Sequence, residues 1–207
     1  MERDESRNKA CFVPFFCEEA NKMNVLELLE ENPIIAAVRN ESEFEAALAS
    51  SPTVVFLLAA NILTLETQIT QAHQHKKAVL VHADLAEGLG KDATGIEFLK
   101  RLGTDGVIST RSAVIRMARD CGLSTVQRFF MVDSHSVRTA AEAIRTAGPD
   151  MVELMPGVVP KIVQMVAENC AVPVIAGGLI DTKEEIMAAL SAGAAAVSTG
   201  CRTLWNK

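Results

Sequence analysis

The chain has 207 residues, of which 49% are hydrophobic and 4% aromatic, and its formal net charge is −6. This composition supports one sizeable aliphatic core and makes the chain a poor non-specific binder of polyanions, so any nucleic-acid contact must be local. No apolar run reaches the ~20 residues of a membrane span, and the five scattered cysteines form no metal-binding or disulfide pattern, which favours reduced thiols in a cytoplasmic protein.

The first 22 residues do not follow the pattern of the rest. Their apolar part is short and contains a proline, which fits a secretory signal poorly. We therefore divide the chain into an extension at 1–22 and a folded domain at 23–207, with residues 24–31 as a helix that closes the bottom of a barrel. The alternative is an N-terminal arm that packs through Phe12, Phe15 and Phe16.

Eight short apolar runs follow along the chain. They are continuous rather than alternating, which is typical of parallel strands that are buried on both faces. The predicted strands are 34–38, 53–58, 78–82, 106–109, 129–132, 151–154, 173–177 and 195–199.

Amphipathic stretches separate these runs. The predicted helices are 41–50, 62–75, 94–102, 111–121, 135–147, 159–169 and 182–192. Ser134 and Asp181 are candidate N-caps, and the stretch from Asp181 to Glu184 matches a capping box. Eight strands with seven intervening helices predict an α/β fold, a small single-domain (β/α)8 barrel of the TIM type. A doubly wound open sheet is the alternative.

Polar residues follow most of the predicted strands. In a barrel of this type, ligand-binding and catalytic groups collect at the carboxyl ends of the strands. The candidates for the barrel mouth are therefore Arg39, His82, Asp84, Arg111, Asp133 and Glu153.

The last two strands carry the most specific pattern. Strand seven ends in Gly177 and Gly178, and strand eight ends in Ser198, Thr199 and Gly200. Glycines let backbone N–H groups approach phosphate oxygens, and a short helix at 201–205 would present its N-terminus to the anion. The sequence predicts a phosphate-binding cup here, with ordinary turn glycines as the alternative.

Catalytic patterns are weaker. A Schiff-base enzyme needs a lysine in the mouth, yet no predicted strand ends in lysine. His82, Asp84, Asp133 and Glu153 could supply a loose Mg²⁺ site. The carboxylates could equally act in acid–base catalysis, accept bonds from ligand hydroxyls or pair with arginines at the mouth.

Charge is unevenly distributed. Residues 101–145 contain seven arginines and four acidic residues, a net +3 that leaves −9 for the remainder. Arginine binds phosphates in a bidentate manner and stacks on bases. Arg116, Arg119, Arg138 and Arg145 lie on two consecutive predicted helices and form a candidate RNA face. The alternative is a pair of solvated helices with salt bridges.

Six phrases in the same order resemble one family. They are "HADLAEGL" (82–89), "GVISTRS" (106–112), "QRFFMVDS" (127–134), "VELMPGVVP" (152–160), "VIAGGLI" (174–180) and "TLW" (203–205). Together they look like the glycerol uptake operon antiterminator regulatory proteins, over residues 33 to 205. The stretch after strand eight, "STGCRTLW", is a looser match than the other phrases.

The resemblance implies a regulator rather than an enzyme. Proteins of this family respond to glycerol 3-phosphate and bind the leader mRNA of glycerol operons, so that transcription passes a terminator. The resemblance implies glycerol 3-phosphate as the effector and leader mRNA as the partner. It implies no required cofactor, and it leaves open whether the protein forms a homo-oligomer. The rival hypotheses are a phosphosugar isomerase, lyase or phosphodiesterase on the same barrel, and a ligand sensor that acts through a protein partner.

Overall fold

The computed structural model describes residues 23–206, which form eight parallel strands closed into a barrel and surrounded by helices. Each strand pairs with the next one in the chain, and the first strand also pairs with the last. This closure confirms the single-domain (β/α)8 barrel and excludes the open doubly wound sheet. The predicted extension at 1–22, with both hypotheses for it, lies outside the described residues.

The strands are β1 (Ile34–Val38), β2 (Val54–Leu57), β3 (Ala78–His82), β4 (Gly106–Ser109), β5 (Ser124–Phe130), β6 (Met151–Met155), β7 (Val174–Gly177) and β8 (Ala196–Thr199). The helices are α1 (Val25–Glu31), α2 (Glu41–Leu48), α3 (Leu65–Gln74), α4 (Ala93–Arg101), α5 (Ser112–Asp120), α6 (Ser134–Ala147), α7 (Pro160–Ala167) and α8 (Lys183–Ser191). A 3₁₀ turn at Arg202–Leu204 follows β8. Most strand residues are buried, as the continuous apolar runs predicted, because helices cover the outer face of the barrel.

The lower half of the barrel interior is a packed core. Val25 and Leu29 of α1 insert from below into a cluster of inward-facing strand residues that includes Phe56 and Leu80. The helix predicted at 24–31 therefore exists and closes the bottom of the barrel. Since side chains fill this half of the interior, the space that remains inside the barrel lies towards the carboxyl ends of the strands.

The fifth strand differs from its prediction. It runs from Ser124 to Phe130 rather than over 129–132. Its sequence "STVQRFF" is interrupted by polar residues, which weakens the apolar signal. Thr125 Oγ1 donates to Asp150 Oδ2 at 2.7 Å, and Gln127 Nε2 donates to Ser112 Oγ at 2.9 Å. Gln127 Oε1 is buried and has no partner within residues 23–206. The correction places Arg128 inside a strand.

Two helix starts also differ from prediction by one residue. Asp133, rather than Ser134, caps α6, and its carboxylate accepts the backbone N–H of Ser136. Thr182, rather than Asp181, caps α8. The caps lie where the chain is still extended, which is the conformation an N-cap residue requires.

Candidate functional site

A cavity of about 350 Å³ opens at the mouth of the barrel, between the ends of β1, β5, β6, β7 and β8. That volume lies at the lower end of the range for small-molecule sites. Several of the predicted site residues line it, namely Arg39, Glu153, Gly178, Ser198, Thr199 and Gly200. Arg128, which was not predicted as a site residue, lines it too.

Three buried polar side chains form a hydrogen-bonded chain at the cavity. Arg128 Nε donates to Glu153 Oε2 at 2.5 Å, and Ser198 Oγ donates to Glu153 Oε1 at 2.6 Å. The side chains of Arg128 and Glu153 are 6% and 0% exposed. Each carboxylate oxygen thus has a donor, which offsets part of the cost of burying the charge pair.

The rest of the Arg128 guanidinium is available to a ligand. Its Nη1 and Nη2 atoms make no hydrogen bond to any of residues 23–206. A buried arginine whose terminal donors border a cavity is suited to hold an anion or a group rich in oxygen atoms.

Glycines at the end of β7 make room for this polar chain. A Cβ atom on Gly177 would contact Glu153 Oε1 and lie 2.6 Å from Ser198 Oγ. Gly177 therefore stands behind the cavity wall and permits the bond between those two side chains. Gly178 has a φ of +79° and Leu179 one of +62°. Two successive left-handed residues turn the backbone sharply at the cavity edge.

Thr199 fixes the loop after β8 instead of presenting a free hydroxyl. Its Oγ1 donates to the carbonyl of Ile180 at 2.7 Å and accepts the backbone N–H of Cys201 at 3.0 Å. Its carbonyl accepts Trp205 Nε1 at 2.9 Å. The helix predicted at 201–205 is only the three-residue 3₁₀ turn, which is too short to carry a useful helix dipole.

Arg39 supplies a cation at the rim. Its side chain is 61% exposed, and its Nε lies 3.6 Å from Glu43 Oε2. Glu43 also accepts the backbone N–H of Arg39 at 2.7 Å. A Cβ atom on Gly200 would lie 2.5 Å from Arg39 Nη2, so the guanidinium is held over the end of β8.

His82 ends β3 inside the barrel and is 3% exposed. Burial, followed by the positive charge of Arg128, lowers the pKa of His82 to about 4, against a smaller opposing effect of Asp84. The imidazole is therefore neutral at pH 7. Its Nδ1 is buried and has no hydrogen-bond partner within residues 23–206. His82 does not line the cavity, although it lies within electrostatic range of Arg128.

Asp84 joins two loops beside the mouth. It accepts bonds from Ser109 Oγ at 2.8 Å, from the backbone N–H of Thr110 at 2.8 Å and from Thr110 Oγ1 at 2.9 Å. Burial acts to raise the pKa of Asp84, but these hydrogen bonds outweigh it and lower the pKa. Arg111 Nε lies 3.7 Å from Asp84 Oδ1. This pair ties the loop after β3 to the start of α5 and lies outside the cavity wall.

Asp133 is an exposed cap of α6 and does not line the cavity. The four residues considered for a Mg²⁺ site, His82, Asp84, Asp133 and Glu153, therefore do not come together. Within residues 23–206, no three histidine, cysteine or acidic side chains come together as a candidate metal site. In the same part of the chain, no helix is both long and apolar enough to cross a membrane.

The four arginines of the candidate RNA face have different environments. Arg119 Nη1 donates to the carbonyl of Ala147 at 2.8 Å and so fastens α5 to the end of α6. Arg116 is half-buried on the same helix. Arg138 and Arg145 border a groove between α6 and α7. Arg116 and Arg119 thus lie on α5, and Arg138 and Arg145 lie on α6, which packs against α5.

Three polar residues that line the cavity, Arg128, Asp181 and Cys201, were not predicted as site residues, and Arg128 is the buried one. In the sequence it is one of seven arginines in a charged region. A signal was present, because an arginine between Val126 and Phe129 interrupts an otherwise strand-like run. A charged residue within a buried strand needs a partner, and that partner marks a candidate site.

Comparisons with known proteins agree with this architecture. A family model described as glycerol-3-phosphate responsive antiterminator matches residues 34–205. A solved glycerol uptake operon antiterminator regulatory protein from Listeria monocytogenes is 36% identical, with a TM-score of 0.80, covering 84% of this chain and 95% of its own. A related protein from Thermotoga maritima is also 36% identical, with a TM-score of 0.75, covering 83% and 96%. The uncharacterised Escherichia coli K12 protein YgcP is 34% identical over 185 residues, covering 89% and 97%.

Proposed function

The chain belongs to the glycerol-3-phosphate responsive antiterminator family, and on this premise we propose that it is a cytoplasmic, ligand-controlled antiterminator. It binds glycerol 3-phosphate in the barrel mouth and the leader mRNA of a glycerol operon on its outer surface. The observation that carries the proposal is the buried guanidinium of Arg128, whose terminal donors border a glycine-edged cavity.

The phosphate docks at the β7 and β8 side of the cavity. Backbone at Gly178 and Gly200 can approach phosphate oxygens closely because neither residue has a side chain. Arg39 supplies the rim charge, and its guanidinium lies over Gly200. Gly177 stands behind the wall and leaves room for the bond between Ser198 and Glu153. Ser198 and Thr199 line the cavity, but the hydroxyl of Ser198 donates to Glu153 and that of Thr199 holds the loop after β8.

The glycerol hydroxyls are held by the Arg128–Glu153 pair. A carboxylate oxygen has two lone pairs, so Glu153 can accept a ligand hydroxyl beside its protein donors. Arg128 donates to the ligand through the nitrogens that Glu153 does not use. The pair has no net charge, so Arg39 provides the attraction for the phosphate, against the opposing charge of Asp181, which also lines the cavity.

Ligand binding couples to RNA through the loops after β3 and β4. The glycine-rich loop 83–93 contains Asp84, which bonds Ser109 and Thr110 immediately before α5. Ordering of this loop repositions α5, which carries Arg116 of the RNA face. A ligand shifts this balance only by its differential affinity for the two loop arrangements.

Calorimetric titration of the purified chain tests the ligand site. Glycerol 3-phosphate should bind, and glycerol or inorganic phosphate alone should bind far more weakly. Arg39→Ala should reduce the affinity about 10- to 100-fold, the worth of one charge-assisted hydrogen bond. Arg101→Ala is the matched control, because this exposed arginine on α4 pairs with Glu97 and is remote from the cavity. Absence of binding, or an equal loss in the control, would refute the site.

Gel shifts with leader RNA at physiological salt test the RNA function. The shift should strengthen with glycerol 3-phosphate and weaken in Arg116→Ala, while Arg101→Ala should leave it unchanged. A shift that needs a second protein would point to a partner-dependent sensor. Unchanged RNA binding in Arg116→Ala would remove α5 from the RNA face.

A regulator is proposed rather than an enzyme because Glu153, the buried carboxylate of the cavity, is committed to Arg128 and Ser198. None of the described residues that line it is a lysine, which leaves Schiff-base chemistry without support. Conversion of a small phosphate ester would instead show as turnover that is lost in Glu153→Gln. Sustained turnover by the purified chain would overturn the regulatory assignment.

A further inference from the structure

The two hydroxyl side chains that line the cavity have no hydrogen to offer a ligand. A serine or threonine hydroxyl carries a single hydrogen. Ser198 Oγ donates its hydrogen to Glu153 Oε1 at 2.6 Å, and Thr199 Oγ1 donates its own to the carbonyl of Ile180 at 2.7 Å. Both side chains are buried and held in these bonds. Towards a ligand, the two hydroxyls therefore act as acceptors.

Glu153 adds a carboxylate with unused lone pairs to the same wall. Its side chain is 0% exposed, and it lines the cavity. Each of its oxygens accepts one hydrogen bond from the protein, Oε2 from Arg128 and Oε1 from Ser198. A carboxylate has about four lone-pair sites, so two protein donors leave it partly unsatisfied. Because burying an acceptor without a donor costs free energy, a ligand that covers this carboxylate has to supply a hydrogen.

Arg128 places donors directly beside this acceptor. Its Nε is bonded to Glu153 Oε2, and its two terminal nitrogens make no hydrogen bond to any of residues 23–206. A ligand oxygen at this pair therefore meets N–H donors and carboxylate lone pairs together. A hydroxyl satisfies both because it accepts and donates, whereas a carbonyl oxygen accepts only.

The carboxylate is held so that it cannot turn away from a ligand. Its two donors lie on β5 and β8, and Glu153 itself lies on β6, so three strands of the closed barrel fix the group. Gly177 of β7 closes the space behind it, since a Cβ atom there would contact Glu153 Oε1. The polarity of this contact is therefore built into the barrel wall before a ligand binds.

We propose that Glu153 is a specificity-determining residue, which requires a hydroxyl hydrogen from the ligand and so selects a polyol phosphate over its carbonyl counterpart. The inference rests on the proposed function, because it takes glycerol 3-phosphate as the ligand of this cavity. In the carbonyl counterpart the oxygen remains but its hydrogen is absent, so lone pairs of the ligand face lone pairs of the carboxylate. The cavity thus accepts the alcohol and rejects the oxidised form.

Calorimetric titration of the purified full chain with fluorinated analogues tests the requirement. Two analogues of glycerol 3-phosphate carry fluorine in place of the secondary or the primary hydroxyl, which nearly keeps the size of the group but removes its hydrogen. At least one should bind about 10- to 100-fold more weakly than glycerol 3-phosphate, the worth of one hydrogen bond to a charged acceptor. If both analogues bind as tightly as glycerol 3-phosphate, the proposal is overturned while the ligand site stands. If glycerol 3-phosphate itself does not bind, the proposed function fails and the proposal fails with it.

Variants assign the discrimination to Glu153 through the ratio of the two affinities, that for glycerol 3-phosphate over that for the weaker analogue. Glu153→Gln replaces an acceptor oxygen by an amide donor, so the ratio should fall about fivefold or more. Ser198→Ala keeps the pair with Arg128 but removes the donor to Oε1, so Glu153 depends more on the ligand and the ratio should rise severalfold.

Arg39→Ala is the matched control, because Arg39 faces the phosphate that both ligands share. This variant should weaken both ligands and leave the ratio of their affinities unchanged. A purely structural role of Glu153 would also lower both affinities together, so only a change in the ratio supports the proposal. A ratio that stays constant in Ser198→Ala, and in Glu153→Gln where that variant folds, overturns it.

Discussion

Acidification should destabilise the folded chain through one buried imidazole. His82 is 3% exposed, its Nδ1 is buried without a partner among residues 23–206, and its pKa is lowered to about 4. In the unfolded chain a histidine titrates near 6.5. Between these two values the unfolded state binds a proton that the folded state excludes. The stability is therefore complete above pH 6.5 and declines as the pH falls towards 4.

The size of the effect follows from the two pKa values. Between pH 7.5 and pH 5, the linkage relation gives a loss of about 2 kcal/mol, which rises to about 3 kcal/mol below pH 4. For a domain of this size, 2 kcal/mol corresponds to a fall of about 4–8 °C in Tm.

Urea unfolding followed by circular dichroism, from pH 5 to pH 7.5, measures this loss. The parent chain is compared with His82→Gln, whose side chain is uncharged throughout. Other titrating groups contribute equally to both proteins, so the difference between their unfolding free energies isolates His82. That difference should change by about 2 kcal/mol over the range.

The control is His75→Gln, because His75 is exposed on the end of α3. This variant should keep the pH dependence of the parent chain. If the parent chain and His82→Gln lose the same stability on acidification, His82 either is accessible to solvent or gains its proton without cost, and the burial argument fails.

Three further changes test the mouth of the barrel. Glu153→Gln should lower the free energy of unfolding by about 3–5 kcal/mol in urea titrations, because Arg128 would lose its buried partner; a loss below 1 kcal/mol contradicts the ion pair. Asp84→Asn should lower the free energy of unfolding by about 1–3 kcal/mol and speed amide hydrogen exchange in the loop after β4, since the carboxylate accepts three hydrogen bonds there. Unchanged exchange in that loop would contradict this role of Asp84. Gly200→Ala should leave the melting temperature nearly unchanged but weaken glycerol 3-phosphate binding about tenfold, because the new Cβ would displace the Arg39 guanidinium. Full affinity in calorimetry would exclude Arg39 from the phosphate site.

Much of the architecture was determined by the sequence itself. Continuous apolar runs predicted buried parallel strands, and the count of eight predicted closure. The helix at 24–31 was also predicted, since its apolar residues recur at helical spacing and Val25 and Leu29 do enter the barrel. Gly178 after strand seven and Gly200 after strand eight do line the cavity at the mouth, whereas Gly177 does not. These features depend on local pattern, which a sequence displays directly.

The grouping of the polar side chains was decided only by the tertiary structure. Glu153 meets Arg128 from 25 residues before it and Ser198 from 45 residues after it. Asp133 and Asp84 also follow predicted strands, yet they cap a helix and join two loops. Side chains alternate between the two faces of a strand, and the stagger of a closed barrel sets which residues of neighbouring strands share a level. The sequence determines which polar residues reach the mouth, whereas strand register and barrel stagger determine which of them meet.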